Sequence, residues 1–228
     1  MTHALVTALA VAATALLYAA AAWVHGRVRW SILQPVATTS VVLLVALWAL
    51  HVPVATYVKR VEVLSVLLGP SVVALGLTVE RELPRLSGRG ARVLSAIALG
   101  SVVGAASAAL VAKALGASPA IVATLAPKST TSPIAMAIAE RTGGLPPLAA
   151  AIVVVVGIVG AVIGPPILRL CGVRDPFAWG LAMGVSSHGV GTARAVEEGE
   201  AQAAASALGL ALTGVVTSLV VPLLLGWL

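Results

Sequence analysis

Charge is scarce in this chain: 10% of its 228 residues are Asp, Glu, Lys or Arg, against roughly 25% in a soluble domain. So few charges cannot make a water-facing surface, which excludes a soluble globular enzyme and a disordered chain. The net charge of +6 does not make a nucleic-acid binder either, because in so apolar a chain basic residues belong to the loops that set membrane orientation. The single cysteine, Cys171, excludes an intramolecular disulfide framework and any CxxC metal site. Aspartate occurs once, at Asp175 in a loop, so there is no pair of intramembrane aspartates, and no HExxH is present. Neither a cofactor, nor a metal, nor enzymatic chemistry is expected.

What remains is hydrocarbon. Hydrophobic residues make up 60% of the chain and the mean hydropathy is +1.08. Charge-free runs cover residues 4–24, 30–58, 63–79, 93–112, 114–127, 142–168, 176–193 and 201–228, the fifth continuing past Lys128 to residue 139. A spanning helix needs about 20 mostly apolar residues, and the runs show no strand alternation. About eight segments result, six to eight of them expected to cross. Trp23, Trp30, Trp48, Trp179 and Trp227 lie near segment ends, where indole rings anchor at headgroup level. The expected fold is an all-α polytopic membrane protein with broken or re-entrant helices.

The chain also resembles itself. A shift of 57 residues pairs Pro119 with Pro176, Ser129 with Ser186, Glu140 with Glu197, Gly157 with Gly214 and Pro165 with Pro222. A looser copy precedes these, with Gly69-Pro70 against Ala126-Pro127 and a Gly100/Gly104 spacing matching Gly160/Gly164, the small-residue pattern that lets helices approach closely. A single membrane domain over 1–228 is therefore read as N-terminal helices in 1–60 followed by units 61–116, 117–172 and 173–228, each an interrupted segment plus a small-residue helix. Neighbouring units are parallel if the interrupted segments cross, and inverted if they dip in and return. Inverted repeats with broken helices are the architecture of many secondary transporters.

Two polar clusters carry the chemistry. The first is Lys128-Ser129-Thr130-Thr131-Ser132, set between Pro127 and Pro133 within apolar sequence. Each proline removes a backbone donor and disfavours helix at the residue before it, so the chain should open here and restart near Pro133. A restarting helix aims free N–H groups and a positive dipole end forward. With the Lys128 charge and four hydroxyls added, the pocket suits a small carboxylate. The competing reading places Lys128 in an interfacial turn among headgroups, but intramembrane charge is costly and usually functional.

The second cluster is Ser186-Ser187-His188-Gly189-Val190-Gly191-Thr192-Ala193-Arg194. Its glycines, Gly189 and Gly191 among them, favour a break or a close backbone approach. His188 is the candidate for proton coupling and Arg194 for a charge contact, each weighed against a packing or interfacial role. Gly69 and Pro70 mark a third break, without a charge. Ser186 and His188 are two apart and face different sides of a regular helix, so they make no catalytic dyad, and the GxGxxR string lacks the third glycine of a dinucleotide site.

These clusters resemble a known family. Pro127-Lys128-Ser129-Thr130-Thr131-Ser132-Pro133-Ile134-Ala135-Met136 is similar to the PKS-x-T-T-P-I-A-M signature of LrgB/CidB proteins. Ser187-His188-Gly189-Val190-Gly191-Thr192-Ala193-Arg194-Ala195 is similar to their S-H-G-I-G-T-A-R-A signature, and Leu68-Gly69-Pro70-Ser71 to an earlier L-G-P-A stretch. Thr130 replaces an aliphatic residue, Ser132 a threonine, and Gln34-Pro35 the customary Asn-Pro. The resemblance implies a multi-pass protein of the bacterial cytoplasmic (inner) membrane, expected as a homo-oligomer. It also implies either of two functions. One is transport of small monocarboxylates of the pyruvate, lactate, glycolate or glycerate class, as in the related plastidal glycolate/glycerate translocator. The alternative is antiholin-like regulation of murein hydrolase activity and lysis with a small holin-like LrgA/CidA partner. Under the first, Lys128, Ser129, Thr130, Thr131, Ser132, Ser186, Ser187, His188, Thr192 and Arg194 are the candidate substrate-binding residues.

Overall fold

A computed structural model describes residues 2–28, 30, 33, 35–66, 70, 73, 77, 80, 81, 84 and 88–228. It divides into two compact units, Met1–Val72 and Val73–Leu228. Among the described residues every regular element is helical. The chain is an all-α polytopic membrane protein.

The first unit contains α1 (Thr2–Val28), α2 (Pro35–Ala49), α3 (Val54–Arg60) and α4 (Glu62–Val66). Between α2 and α3 the chain bends by 119°. Pro53 causes the stop: it has no N–H to continue α2 and holds the residue before it out of the helical region, while His51 takes a positive φ of 52°. The Thr14 and Tyr57 hydroxyls, 2.5 Å apart, tie α1 to α3. At the end of α1 the Arg27 guanidinium lies 4.4 Å from the Trp23 ring centre, a cation–π pair suited to the membrane interface.

The second unit contains α5 (Gly90–Ala114), α6 (Pro119–Leu125), α7 (Ser132–Arg141), α8 (Pro146–Leu170), α9 (Pro176–Glu198) and α10 (Glu200–Trp227). Prolines open α6, α8 and α9 at their first turns, where a missing N–H costs nothing. The Asp175 carboxylate caps α9 by accepting from Ala178 N at 2.7 Å. Gly143 and Gly172, at φ 78° and 73°, follow α7 and α8 in the left-handed conformation that closes a helix.

Four helices, α1, α5, α8 and α10, are long and apolar enough to cross a membrane, and the bent α2–α3 pair makes a fifth candidate. Of the remaining runs anticipated from sequence, 63–79 lies mostly outside the described residues, and so does Gly69 of the expected break at Gly69 and Pro70. The other two are the interrupted segments, and their paths decide the topology.

Two helical arms joined at a kink make α9 a hairpin. His188 has φ 42° and ψ −135°, far from helical values, and the chain reverses there. Ala195 shares a buried cluster with Trp179 and Met183; on a straight helix those residues would stand about 18 to 24 Å away. A methyl group added at Gly191 would lie 2.6 Å from the Met183 carbonyl oxygen. The two arms therefore run side by side, with Ser187 and His188 at the tip.

Helix α10 lies against both arms. Thr192 and Ser206, equally far from the Gly199 turn, bond through their hydroxyls at 2.9 Å, so the second arm is antiparallel to α10. Gly180 abuts Gln202 and Gly184 abuts Ser206, so the first arm is parallel to it. The tip lies about 16 Å along α10, roughly half of a ~30 Å hydrocarbon layer.

The segment α6–α7 also turns back. Beyond α7, Leu145 N donates to Thr124 Oγ1 of α6 at 2.8 Å, and Gly144 packs on the same residue. Between the two comes α8, which runs antiparallel to the first arm of α9: Gly157 meets His188, Gly160 meets Ser187 and Gly164 meets Met183. The α6–α7 segment joins one end of α8 and the α9 hairpin joins the other. Helix α8 is thus antiparallel to α10, and each is preceded by a segment that turns back.

Candidate functional site

Proline chemistry places the first element of the site. Pro127 lies inside, and Pro133 just beyond, a stretch outside regular helix at residues 126–131, closed by two local bonds, Lys128 N to Leu125 O and Thr130 N to Pro127 O, at 3.1 and 3.2 Å. Helix α7 restarts at Ser132 with Thr131 as its N-cap residue. Lys128 projects into a cavity of about 510 Å³ and donates to Ser129 Oγ at 3.0 Å. Among the described residues the amine has no carboxylate partner.

The depth of this lysine follows from what holds it. A Cβ at Gly104 would lie 3.6 Å from Ser129 Oγ, and one at Gly100 would lie 2.9 Å from Val185 of the α9 hairpin. Both glycines sit at the middle of α5 (Gly90–Ala114). Helix α10 also receives the broken segment at mid-length, where a Cβ at Gly214 would be 2.7 Å from Ile134 Cδ1 and 3.5 Å from Thr130 Oγ1. The expected Gly100/Gly104 small-residue face is thus the surface on which the two interrupted segments dock, and Lys128 lies level with the middle of α5.

From the opposite segment, Ser186 lines the same cavity. Its Oγ donates to Ala182 O at 2.7 Å and lies 3.0 Å from Ser187 Oγ. Ser187 is buried against Gly160. Behind it, Nε2 of the buried His188 contacts Val153 O of α8 at 2.6 Å; a carbonyl only accepts, so Nε2 carries the proton. Thr192 donates to His188 O at 2.9 Å and joins Ser206, which fastens the second arm to α10.

Not every candidate comes to the cavity. Arg194 pairs with Glu197 at 3.1 Å and with Glu198 on its own helix, about 9 Å down the arm from the tip. Thr130 is fully buried and, like Thr131, has an Oγ1 with no partner; Ser132 opens α7. Gly189 and Gly191, anticipated as breaks, lie within the second arm and have no positive φ. His188 takes the turn instead, while Gly191 supplies a close approach. Sequence reasoning did not single out the apolar walls, Ala96, Val103, Ala178, Leu181, Ala182 and Val185, because nothing in their types separates them from residues facing lipid. It also passed over Ser101 and Thr213, buried hydroxyls without partners in α5 and α10.

Chemically, the cavity offers the Lys128 amine, the Ser129 and Ser186 hydroxyls and otherwise hydrocarbon. A monoanion neutralises the lysine, whereas a second negative charge would be left in a low-dielectric wall without a partner.

Comparison with known proteins gives the following. The model of the LrgB-like family matches residues 14–227. Two uncharacterized proteins of Bacillus subtilis (strain 168) are similar over nearly the whole chain: YwbG is 31% identical over 215 residues, 94% of this chain and 96% of that protein. YxaC is 30% identical over 228 residues, 100% and 99% respectively. A protein of Bacillus cereus (strain B4264) called antiholin-like protein LrgB is 31% identical over 162 residues, 71% of this chain and 70% of that protein. No solved structure matches.

Proposed function

The chain belongs to the LrgB-like family, and we propose that it works there as a secondary transporter of small monocarboxylates, of the pyruvate, lactate, glycolate or glycerate class, in the bacterial cytoplasmic membrane. The observation that carries this reading is the Lys128 amine, which lines a cavity with Ser129 and Ser186 and has no carboxylate partner among the described residues. A charge in such apolar surroundings is expensive and is kept where it serves a pathway. Two interrupted segments, one joined to each end of α8, support the same reading, since carriers of this build hold their substrate where such segments meet. Substrate carboxylate would bind Lys128 and Ser129, with Ser186 reaching it from the other segment. His188, pinned to Val153, would position that segment and is the candidate for proton coupling.

The test is uptake of labelled pyruvate, lactate and glycolate into proteoliposomes, with and without a proton gradient. Saturable uptake by the native protein and its loss in Lys128→Ala support transport. Absence of uptake by the native protein in both orientations rejects it.

A second reading draws on the name antiholin-like carried by the Bacillus relatives: regulation of lysis through a small holin-like membrane partner. It expects Lys128→Ala to leave the phenotype intact, and helix-face changes to abolish it.

A further inference from the structure

We propose that the break before α7 and the middle of α10 together hold a monovalent metal cation, for which sodium is the probe. The inference goes beyond the transport reading, since it assigns a second ligand to residues outside the Lys128 cavity. It rests on Ser101 of α5, Thr130 of the break and Thr213 of α10. They are 3%, 0% and 0% exposed, and none of the three hydroxyl oxygens has a hydrogen-bond partner. Buried hydroxyls are normally paired, and those that are not call for a bound water or ion.

Packing brings the three to one level. On α5, Ile97, Ser101 and Ala105 form one buried line, a turn apart. Ile97 clusters with Leu208 of α10, and Ala105 with Val221 of α10 and Ala126 of the break. Ser101 therefore lies between two apolar clusters, and so does Thr213 on α10. Thr130 enters the same layer, its Oγ1 3.5 Å from where a Cβ at Gly214 would stand.

Bonding habit separates these hydroxyls from others in the chain. Thr124, Ser186, Thr192 and Ser218 each donate to the carbonyl four residues before, the usual outlet for a helical hydroxyl. Ser101 and Thr213 do not make that bond, so their oxygens stay open to a ligand held between the helices. The break supplies further oxygens: among the described residues no backbone N–H bonds to the carbonyls of Ala126, Lys128, Ser129 or Thr130. Unwound carbonyls of this kind coordinate sodium in broken-helix carriers. Divalent ions are disfavoured, because they draw on carboxylates, and among the described residues no cluster of His, Cys, Asp or Glu could hold a metal. Thr130 is two residues from Lys128, so the ion also strengthens the pull on a substrate carboxylate; that consequence alone rests on the transport reading.

The experiment melts the full chain in lipid nanodiscs, in sodium chloride or in choline chloride of equal ionic strength. Sodium at about a hundredfold its Kd is expected to raise Tm by about 5–10 °C, with saturable binding of radioactive sodium. Thr130→Val and Thr213→Val keep the side-chain shape and each remove one oxygen. They should lower Tm in sodium yet leave or raise it in choline, where loss of an unpaired buried hydroxyl is neutral or favourable. Thr213→Ser keeps the oxygen and should keep the sodium response. A Tm that is the same in both salts overturns the inference. Valine variants that lose the same stability in both salts also overturn it, because the hydroxyls then hold water. A sodium response without carboxylate uptake supports the inference and rejects the transport reading, whereas uptake without a sodium response does the reverse.

Discussion

Gly189 and Gly191 stand two residues apart in one helical arm, and the hairpin path of α9 sets opposite outcomes for them. A Cβ at Gly189 meets nothing within 4 Å. At Gly191 it would lie 2.6 Å from the Met183 carbonyl oxygen and 2.6 Å from Ser187 Cβ, contacts that exist only because the first arm folds back alongside. The Met183 oxygen is backbone, so the collision cannot be relieved by a side-chain rotation. Overpacking of this kind costs about 1–3 kcal/mol. That is a factor of roughly 5 to 150 in the folding equilibrium, and a fall in Tm of about 3–10 °C for a chain of this size. Gly189→Ala should be neutral or stabilising by up to about 1 kcal/mol, since alanine is the better helix former. Thermal melts of the two purified variants in the same detergent measure the difference directly. Equal Tm values, or a loss confined to Gly189→Ala, would refute the hairpin, because on a straight helix residue 191 cannot touch residue 183.

Other substitutions probe the remaining parts. His188 combines a φ of 42° with a bond to Val153 O. His188→Gly and His188→Ala both give up the bond and the packing of the buried ring, but His188→Ala also keeps a strained backbone worth about 1–3 kcal/mol, so in melting curves the glycine variant should be the more stable of the two. Arg194 is engaged with Glu197 and Glu198 on its own helix. Arg194→Gln should cost no more than about 1 kcal/mol and leave anion affinity unchanged; a tenfold loss of affinity would place Arg194 in the site after all.

The sequence announced the long apolar helices, because a bilayer permits little else for such runs, and their lengths followed from its thickness. The break at Pro127 and Pro133 was equally visible, since proline's missing donor acts locally. Whether the interrupted segments cross or return was not, because that depends on which backbones come close. Gly180 and Gly184 let the first arm of α9 press on α10, and Gly157, Gly160 and Gly164 let the tip and first arm press on α8. Glycine serves equally for turns and for close approach, so the run from Gly184 to Gly191 pointed to a turn at the glycines while the chain turns at His188. Lys128 stood out through its apolar flanks. Ser186 was tied to it by the repeat, and the structure adds the shared cavity. Arg194 drew notice as a charge near the membrane, yet its spacing to Glu197 and Glu198 already described an ion pair on a helix end.

That Lys128 is held level with the centre of α5 can be measured by cysteine cross-linking in a Cys171→Ser background. Ser129→Cys is paired either with Gly104→Cys at mid-helix or with Ala114→Cys at the helix end. A Cβ at Gly104 would lie 3.6 Å from Ser129 Oγ, so the two Cβ atoms stand within about 5 Å of each other, near the roughly 3.5–4.5 Å that a disulfide needs. The expected result is a disulfide in the Gly104 pair on mild oxidation in membranes, read by peptide mass, with none in the Ala114 pair. A disulfide with Ala114→Cys and none with Gly104→Cys would put the lysine among the headgroups and contradict the account.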